Sequence, residues 1–181
     1  MNRDTEITLD QVHDGIVAAI KAKFPALHVE AYRQERSKVP VPACLVELTE
    51  LEDATDVDPG TDQLAMMATF EALLVMPFRA DTGKNPKLEI RRLAASFAAF
   101  TRLQRWGCPI GPAQVMGAYP SDFEPELDQY EVWRVEWQQV LHLGESAWND
   151  DEGTDQPHTV LLGQAPLVGV PHVDEYVQVA P

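Results

Sequence analysis

Several residues of this chain could do chemistry, but none of their spacings completes a known arrangement. The strongest set of oxygen ligands is Asp56-Val57-Asp58-Pro59-Gly60-Thr61-Asp62, whose alternating acids on a tight turn resemble the way hard cations are held. A calcium loop of that kind needs a bidentate Glu at its twelfth position, and Met67 stands there. The expectation is a solvated hairpin loop, and Asn149–Asp155 is read the same way. His13, His28, His142, His158 and His172 are scattered, and no pair has the spacing that zinc requires. His172-Val173-Asp174-Glu175 puts an imidazole beside two carboxylates, but it lies in a proline-bearing stretch where preorganisation is poor, which favours an accessory contact over catalysis. Ser37, Ser96, Ser121 and Ser146 fall outside the nucleophile motifs. Gly83-Lys84 lacks the upstream glycine and the following Ser/Thr of a phosphate loop. Cys44 and Cys108 belong to no C-x-x-C and read as core-type thiols of a cytosolic protein. No catalytic, cofactor-binding or metal residue is therefore assigned, and the chain is not expected to be an enzyme.

Charge gives one positive signal. The chain has 14 Lys and Arg against 29 Asp and Glu, a net charge of −15, which argues against nucleic acid or an anionic membrane as the main partner. Yet Lys84, Lys87, Arg91, Arg102 and Arg105 fall within about 60° of one another if one helix runs through them at 100° per residue. The plain interpretation is a solvated helix face. The sharper one is a surface for an acidic partner such as a neighbouring copy, with Arg91, Arg102 and Arg105 holding subunits together.

The elements that would position these groups follow from periodicity. Thr8-Leu9-Asp10-Gln11 fits a capping box, and Val12, Ile16, Val17, Ile20 and Phe24 recur at helical spacing until Pro25, giving a helix over about 9–24. Strands are expected at 28–34 and 42–51. The acidic loop 52–62 is expected to be a turn or a mobile tip between 42–51 and a long strand over 63–76, together a projecting hairpin. A second helix is expected over about 87–106, with Ile90, Leu93, Phe97 and Phe100 inward. A strand at 113–119 then precedes Gln129–Leu143. There Trp133, Val135, Trp137, Leu141 and Leu143 share one face, while Tyr130, Val132, Arg134, Glu136 and Gln138 form a mixed opposite face open to a subunit or partner contact. The order α-β-β-β-α-β-β predicts an α+β fold, a mainly antiparallel sheet with both helices on one face. Residues 144–181 carry seven acids and no Lys or Arg, which divides the chain into a body, 1–145, and an acidic, proline-containing extended arm, 146–181. The N-terminus lacks the basic start and apolar run of a secretory signal, and no run is long enough to span a membrane.

Residues 8–145 resemble the tail terminator (tail completion) proteins of long-tailed bacteriophages, particularly the small tail protein family of Mu-like phages. The likeness lies in layout. A short helix ends in a proline-bearing segment, AIKAKFPALHVE; a strand introduced by prolines follows, VPVPACLVEL; then a long strand, ATFEALLVM, before the second helix; and last a Trp-bearing strand running into Leu-Gly, VWRVEWQQVLHLGE. The resemblance implies a non-enzymatic virion protein without cofactors, assembled in the host cytoplasm and located in the neck region. It would form a ring, typically of six copies, that caps the head-proximal end of the tail tube and stops its growth. Its partners would be itself, the tail tube protein and a head completion or connector protein. Genomic DNA would pass through without sequence recognition, and no membrane would be involved. Another neck or head completion protein, or a small acidic enzyme or ligand-binding domain, is the alternative. The 146–181 arm is not explained by the likeness; VLLGQ or YVQVA could add as a strand to a neighbour's sheet edge, or the arm could dock onto the tube or connector.

Overall fold

The computed structural model describes residues 6–31, 40–58, 60–77, 85–121, 130–147 and 160–180. The chain has an α+β fold and divides into two compact units, Met1–Ala147 and Trp148–Pro181.

In the first unit, helix α1 (Leu9–Lys23) begins at the capping box: Gln11 N donates to Thr8 Oγ1 at 3.2 Å, and Thr8 N donates to Gln11 Oε1 at 2.9 Å. Its apolar stripe, Val12, Ile16 and Ile20, is fully buried. Strands β1 (His28–Ala31), β2 (Ala43–Asp53), β3 (Leu64–Pro77), β4 (Gln114–Pro120) and β5 (Tyr130–Leu143) form one sheet in the order β1-β2-β3-β5-β4. All pairings are antiparallel except β1 with β2, which is parallel. Of the strand expected over 28–34, residues 32–34 lie outside the described residues.

The Trp-bearing strand β5 is thus interior to the sheet. Its pairing with β3 runs unbroken from Leu64↔Leu143 to Pro77↔Tyr130, so it accompanies the β2–β3 hairpin along the whole length of β3. That register puts Phe70 beside Trp137 and Leu74 beside Trp133 on one face. Both helices cover that face, and Val12, Ile16, Ile20, Ile90 and Phe97 join Cys44, Val46, Phe70, Leu74, Val135, Trp137 and Leu141 in one core.

Helix α2 (Pro86–Thr101) starts at Asn85, whose Oδ1 accepts from Lys87 N at 3.0 Å, with Pro86 in the first turn. It ends five residues earlier than the expected 106. Arg102 leaves helical geometry at ψ 125°, and Leu103 takes a left-handed φ of 65°. Pairing in both directions replaces the helical ladder: Leu103 N donates to Ala113 O and Ala113 N to Gln104 O, each at 2.8 Å. This exit carries Trp106 into the core, 6 % exposed, where its indole reaches a partner on β5. Gly15 of α1 makes room for the same turn, since a Cβ there would lie 2.6 Å from Trp106 O.

The acidic loop is an anchored turn rather than a mobile tip. Thr55–Val57 forms a 3-10 turn, Asp58 Oδ1 accepts from Gly60 N at 2.8 Å, and Asp53 Oδ2 accepts from Thr55 Oγ1 at 2.5 Å. Buried Gln63 donates to Gly144 O at 3.0 Å, and Ala147 N donates to Thr61 O at 2.8 Å, fastening the tip to the chain after β5. Asp53 and Asp58 therefore bind neighbouring backbone and hydroxyl groups of their own turn.

The second unit also differs from expectation. Residues 160–162 and 177–180 do not run as separate extended segments; they pair with each other as β6 (Val160–Leu162) and β7 (Val177–Ala180), antiparallel, with Leu162 opposite Val177. Each strand uses one edge for this pairing, and each is an edge strand of the two-stranded sheet.

Candidate interaction surface

Alternation along the central strands assigns their remaining residues to the face opposite the two helices. Cross-strand register arranges these in rows. At one end Ala43, Val75 and Val132 lie side by side, followed by Leu45, Leu73 and Arg134. Ala43, Leu45, Leu73, Val75 and Val132 are buried in a second, smaller apolar cluster, against which Tyr130 packs. The next row is Glu47, Glu71 and Glu136, three carboxylates directly opposite one another on β2, β3 and β5. Beyond it Thr69 and Gln138 are joined by a 3.1 Å hydrogen bond.

Like charges directly across a sheet are unfavourable. Here one cation moderates them: Arg134 Nη1 lies 3.4 Å from Glu71 Oε2, and its guanidinium sits 6.0 Å from the Tyr119 ring centroid. The Tyr119 ring occupies the space above Gly117, where a Cβ would come within 2.1 Å of the phenol oxygen. Burial raises the Glu71 carboxyl above its ordinary range, Arg134 works against that, and Glu136 and Glu47 add to it. Arg134 Nε is buried without a hydrogen-bond partner among the described residues.

The expected site residues fall into three places. Tyr130, Arg134 and Glu136 lie along this second face on β5, all half-buried. Lys87 and Arg91, from the first turns of α2, meet Tyr130 at the start of β5, in an open cleft of about 290 Å³ completed by Ser121, Glu131 and Trp133. There the Arg91 guanidinium lies 5.3 Å from the Trp133 ring centroid, and its Nη1 donates to Lys87 O. Arg102 and Arg105 are at the opposite end of α2. The expected single stripe does not form, because the helix stops at Thr101: Arg102 is its cap, and Arg105 Nη1 turns back onto Ile110 O at 2.5 Å. Lys84 lies outside the described residues.

Gln139 was not among the residues singled out from sequence. Its side chain is buried inside the helix-covered face, where Oε1 accepts from Trp106 Nε1 at 2.6 Å and Trp137 Nε1 at 3.1 Å. Its Nε2 donates to Gln104 O at 3.1 Å and Gly111 O at 2.8 Å. The available signal was a polar residue at an inward position of β5, two residues after Trp137. Cys44 and Cys108 are both free thiols; burial pushes each up from the usual thiol range, Cys44 the further. Among the described residues no helix is long and apolar enough to cross a membrane.

Neither a scan against protein-family models nor a search of curated proteins finds a match to this chain.

Proposed function

We propose that the chain is a bacteriophage tail terminator. It caps the head-proximal end of the tail tube as a homo-oligomeric ring of six copies, ends tube growth and offers the surface to which the head joins. The observation that carries this reading is the layout of the first unit: a capped helix, a long hairpin, a second helix and a Trp-bearing strand ending at Leu143-Gly144, the order on which the family resemblance rests. The division of the sheet supports it, since one face is closed by helices while the other offers charged and polar groups for contact. A closed ring also needs two different surfaces on each copy, and the row Glu47, Glu71 and Glu136 on one side of the sheet and Lys87, Arg91 and Arg92 on α2 are of opposite charge. In this reading the neighbours are the tail tube protein below and a head completion or connector protein above, and the genome passes through without being read.

The test is to add the full chain to tail tubes of the same phage assembled without a terminator and to image them by electron microscopy. Extra density at one tube end, with elongation stopped, is expected. Binding to the connector but not to the tube would move the chain to another neck role, and binding to neither would contradict both.

The cleft favours a second reading, a small ligand-binding domain. Lys87, Arg91, Ser121 and Glu131 converge on it, and converging polar groups are what a ligand site uses. Titration with inorganic phosphate followed by amide chemical shifts checks this; unchanged Lys87 and Arg91 resonances at millimolar phosphate would remove an anion site.

A further inference from the structure

Among the described residues of the second unit a side chain and a turn are fastened together, and over 161–178 no apolar side chain is buried. The Tyr176 ring covers Gly163, where a Cβ would lie 2.6 Å from Tyr176 Cε1, and the Tyr176 hydroxyl accepts from Gly169 N at 2.6 Å. Around that staple the apolar side chains face outward: Leu162 is 61 % exposed, Val168 49 %, Val170 90 %, Val173 48 % and Val177 65 %. Leu162 and Val177 are direct cross-strand partners, so they share one side of the hairpin. A two-stranded sheet alone is marginally stable in water, and a concentration of exposed apolar groups marks a surface that another molecule covers. The charge of this unit is of one sign. Residues 144–181 hold acids only, with Asp174 and Glu175 beside these valines, so the covering surface should be apolar with a basic rim.

The outward crest of α2 has that chemistry. Leu88, Arg92, Ala95 and Ala99 follow one another at four- and three-residue spacing, opposite buried Ile90, Ala94, Phe97 and Thr101, and the line ends at exposed Arg102 and Leu103. Leu88 is 47 % exposed and Leu103 60 %, and between them the small Ala95 and Ala99 leave a shallow saddle roughly 20 Å long at 1.5 Å per residue. Arg92 is partly engaged by Glu89 at 3.0 Å, which leaves Arg102 as the main charge facing an incoming acid.

We infer that residues 160–180 form a strap that docks on the α2 crest of a second copy of this chain, burying Leu162, Val170 and Val177 against Leu88 and Leu103, with Asp174 and Glu175 toward Arg102. Each chain carries one strap and one crest. Unless two copies exchange straps, a head-to-tail contact leaves a strap and a crest free at the ends of any pair, and it repeats into a closed ring where the rotation between copies closes. The inference shares only self-association with the tail-terminator reading.

The test uses full-length chains in sedimentation and native mass spectrometry. A strap variant, Val170→Asp with Val177→Asp, and a crest variant, Leu88→Asp with Arg102→Glu, each change exposed positions. Each alone is expected to associate at least tenfold more weakly than the unmodified chain. Their equimolar mixture is expected to give one-to-one pairs and nothing larger, because one intact strap meets one intact crest. Either variant assembling like the unmodified chain, or a mixture without pairs, overturns the strap; a strap lying on its own crest gives the second result. In the unmodified chain, amide exchange over 160–178 and 88–103 should slow together as concentration rises, and exchange independent of concentration also overturns it. If the strap variant still caps tube ends as a ring, the strap falls and the terminator reading stands.

Discussion

The two faces of the sheet are made from alternate residues of the same strands, yet they obey different rules. On the helix-covered face Phe70 stacks on Trp137 with centroids 5.6 Å apart, Trp106 approaches Trp137 at 5.9 Å, and Gln139 satisfies both indoles. Every large group there is fixed by several others. On the opposite face the same β3 and β5 carry half-buried Glu71, Arg134 and Glu136, of which Arg134 and Glu71 form a 3.4 Å ion pair beside the smaller apolar cluster. The difference teaches that this sheet puts its larger, densely interlocked core on one set of positions and a smaller apolar cluster with a charged row on the other, so under the proposed assembly substitutions in that charged row should affect association more than stability.

The comparison breaks most visibly at Trp137. Trp137→Ala removes the largest fully buried side chain and should cost about 3–5 kcal/mol, read as a lower urea midpoint at unchanged slope. A loss below about 1 kcal/mol would mean the covered face is not the seat of stability. Gln139→Leu comes next. It takes the partner from two indole N–H groups and from Gly111 O, while Gln104 O still accepts from Ala113 N, and about 2 kcal/mol should be lost although the new side chain is more apolar. A more stable variant would show that Gln139 is a tolerated defect and not a keystone.

The smallest effect sharpens the other side. Glu71 has its folded-state pKa raised, first by burial, so the native state keeps this proton to higher pH than the unfolded chain does. Its contribution to stability therefore falls as pH rises from the ordinary carboxylate range through the raised folded value. Glu71→Gln should gain less than about 1 kcal/mol at neutral pH, since it removes that burden while losing the Arg134 pair, and the gain should vanish on acidification. A variant less stable than the parent at neutral pH would show that Arg134 outweighs burial and the neighbouring glutamates.

Sequence made some of this legible and not the rest, for physical reasons. The start of α1 was readable because a capping box is local, and the inward face of β5 because alternation is local too. The end of α2 was not, because what draws the chain out of the helix is the destination of Trp106, a hydrogen bond to Gln139 formed 33 residues away. A charge stripe projected past Thr101 consequently placed Arg102 and Arg105 on a helix that had ended. The parallel pairing of the four-residue β1 carries no periodic signal, and the pairing of β6 with β7 joins two short apolar groups that look alike in isolation. The row Glu47, Glu71 and Glu136 comes from three strands whose register a single sequence does not state.

The most direct measurement is native mass spectrometry of the full chain over a range of concentrations, alone and with tail tubes. One closed species of fixed subunit number, six by the family resemblance, is expected, formed alone or at the tube end. A chain that stays monomeric at every concentration and remains unbound in the presence of tubes would contradict it.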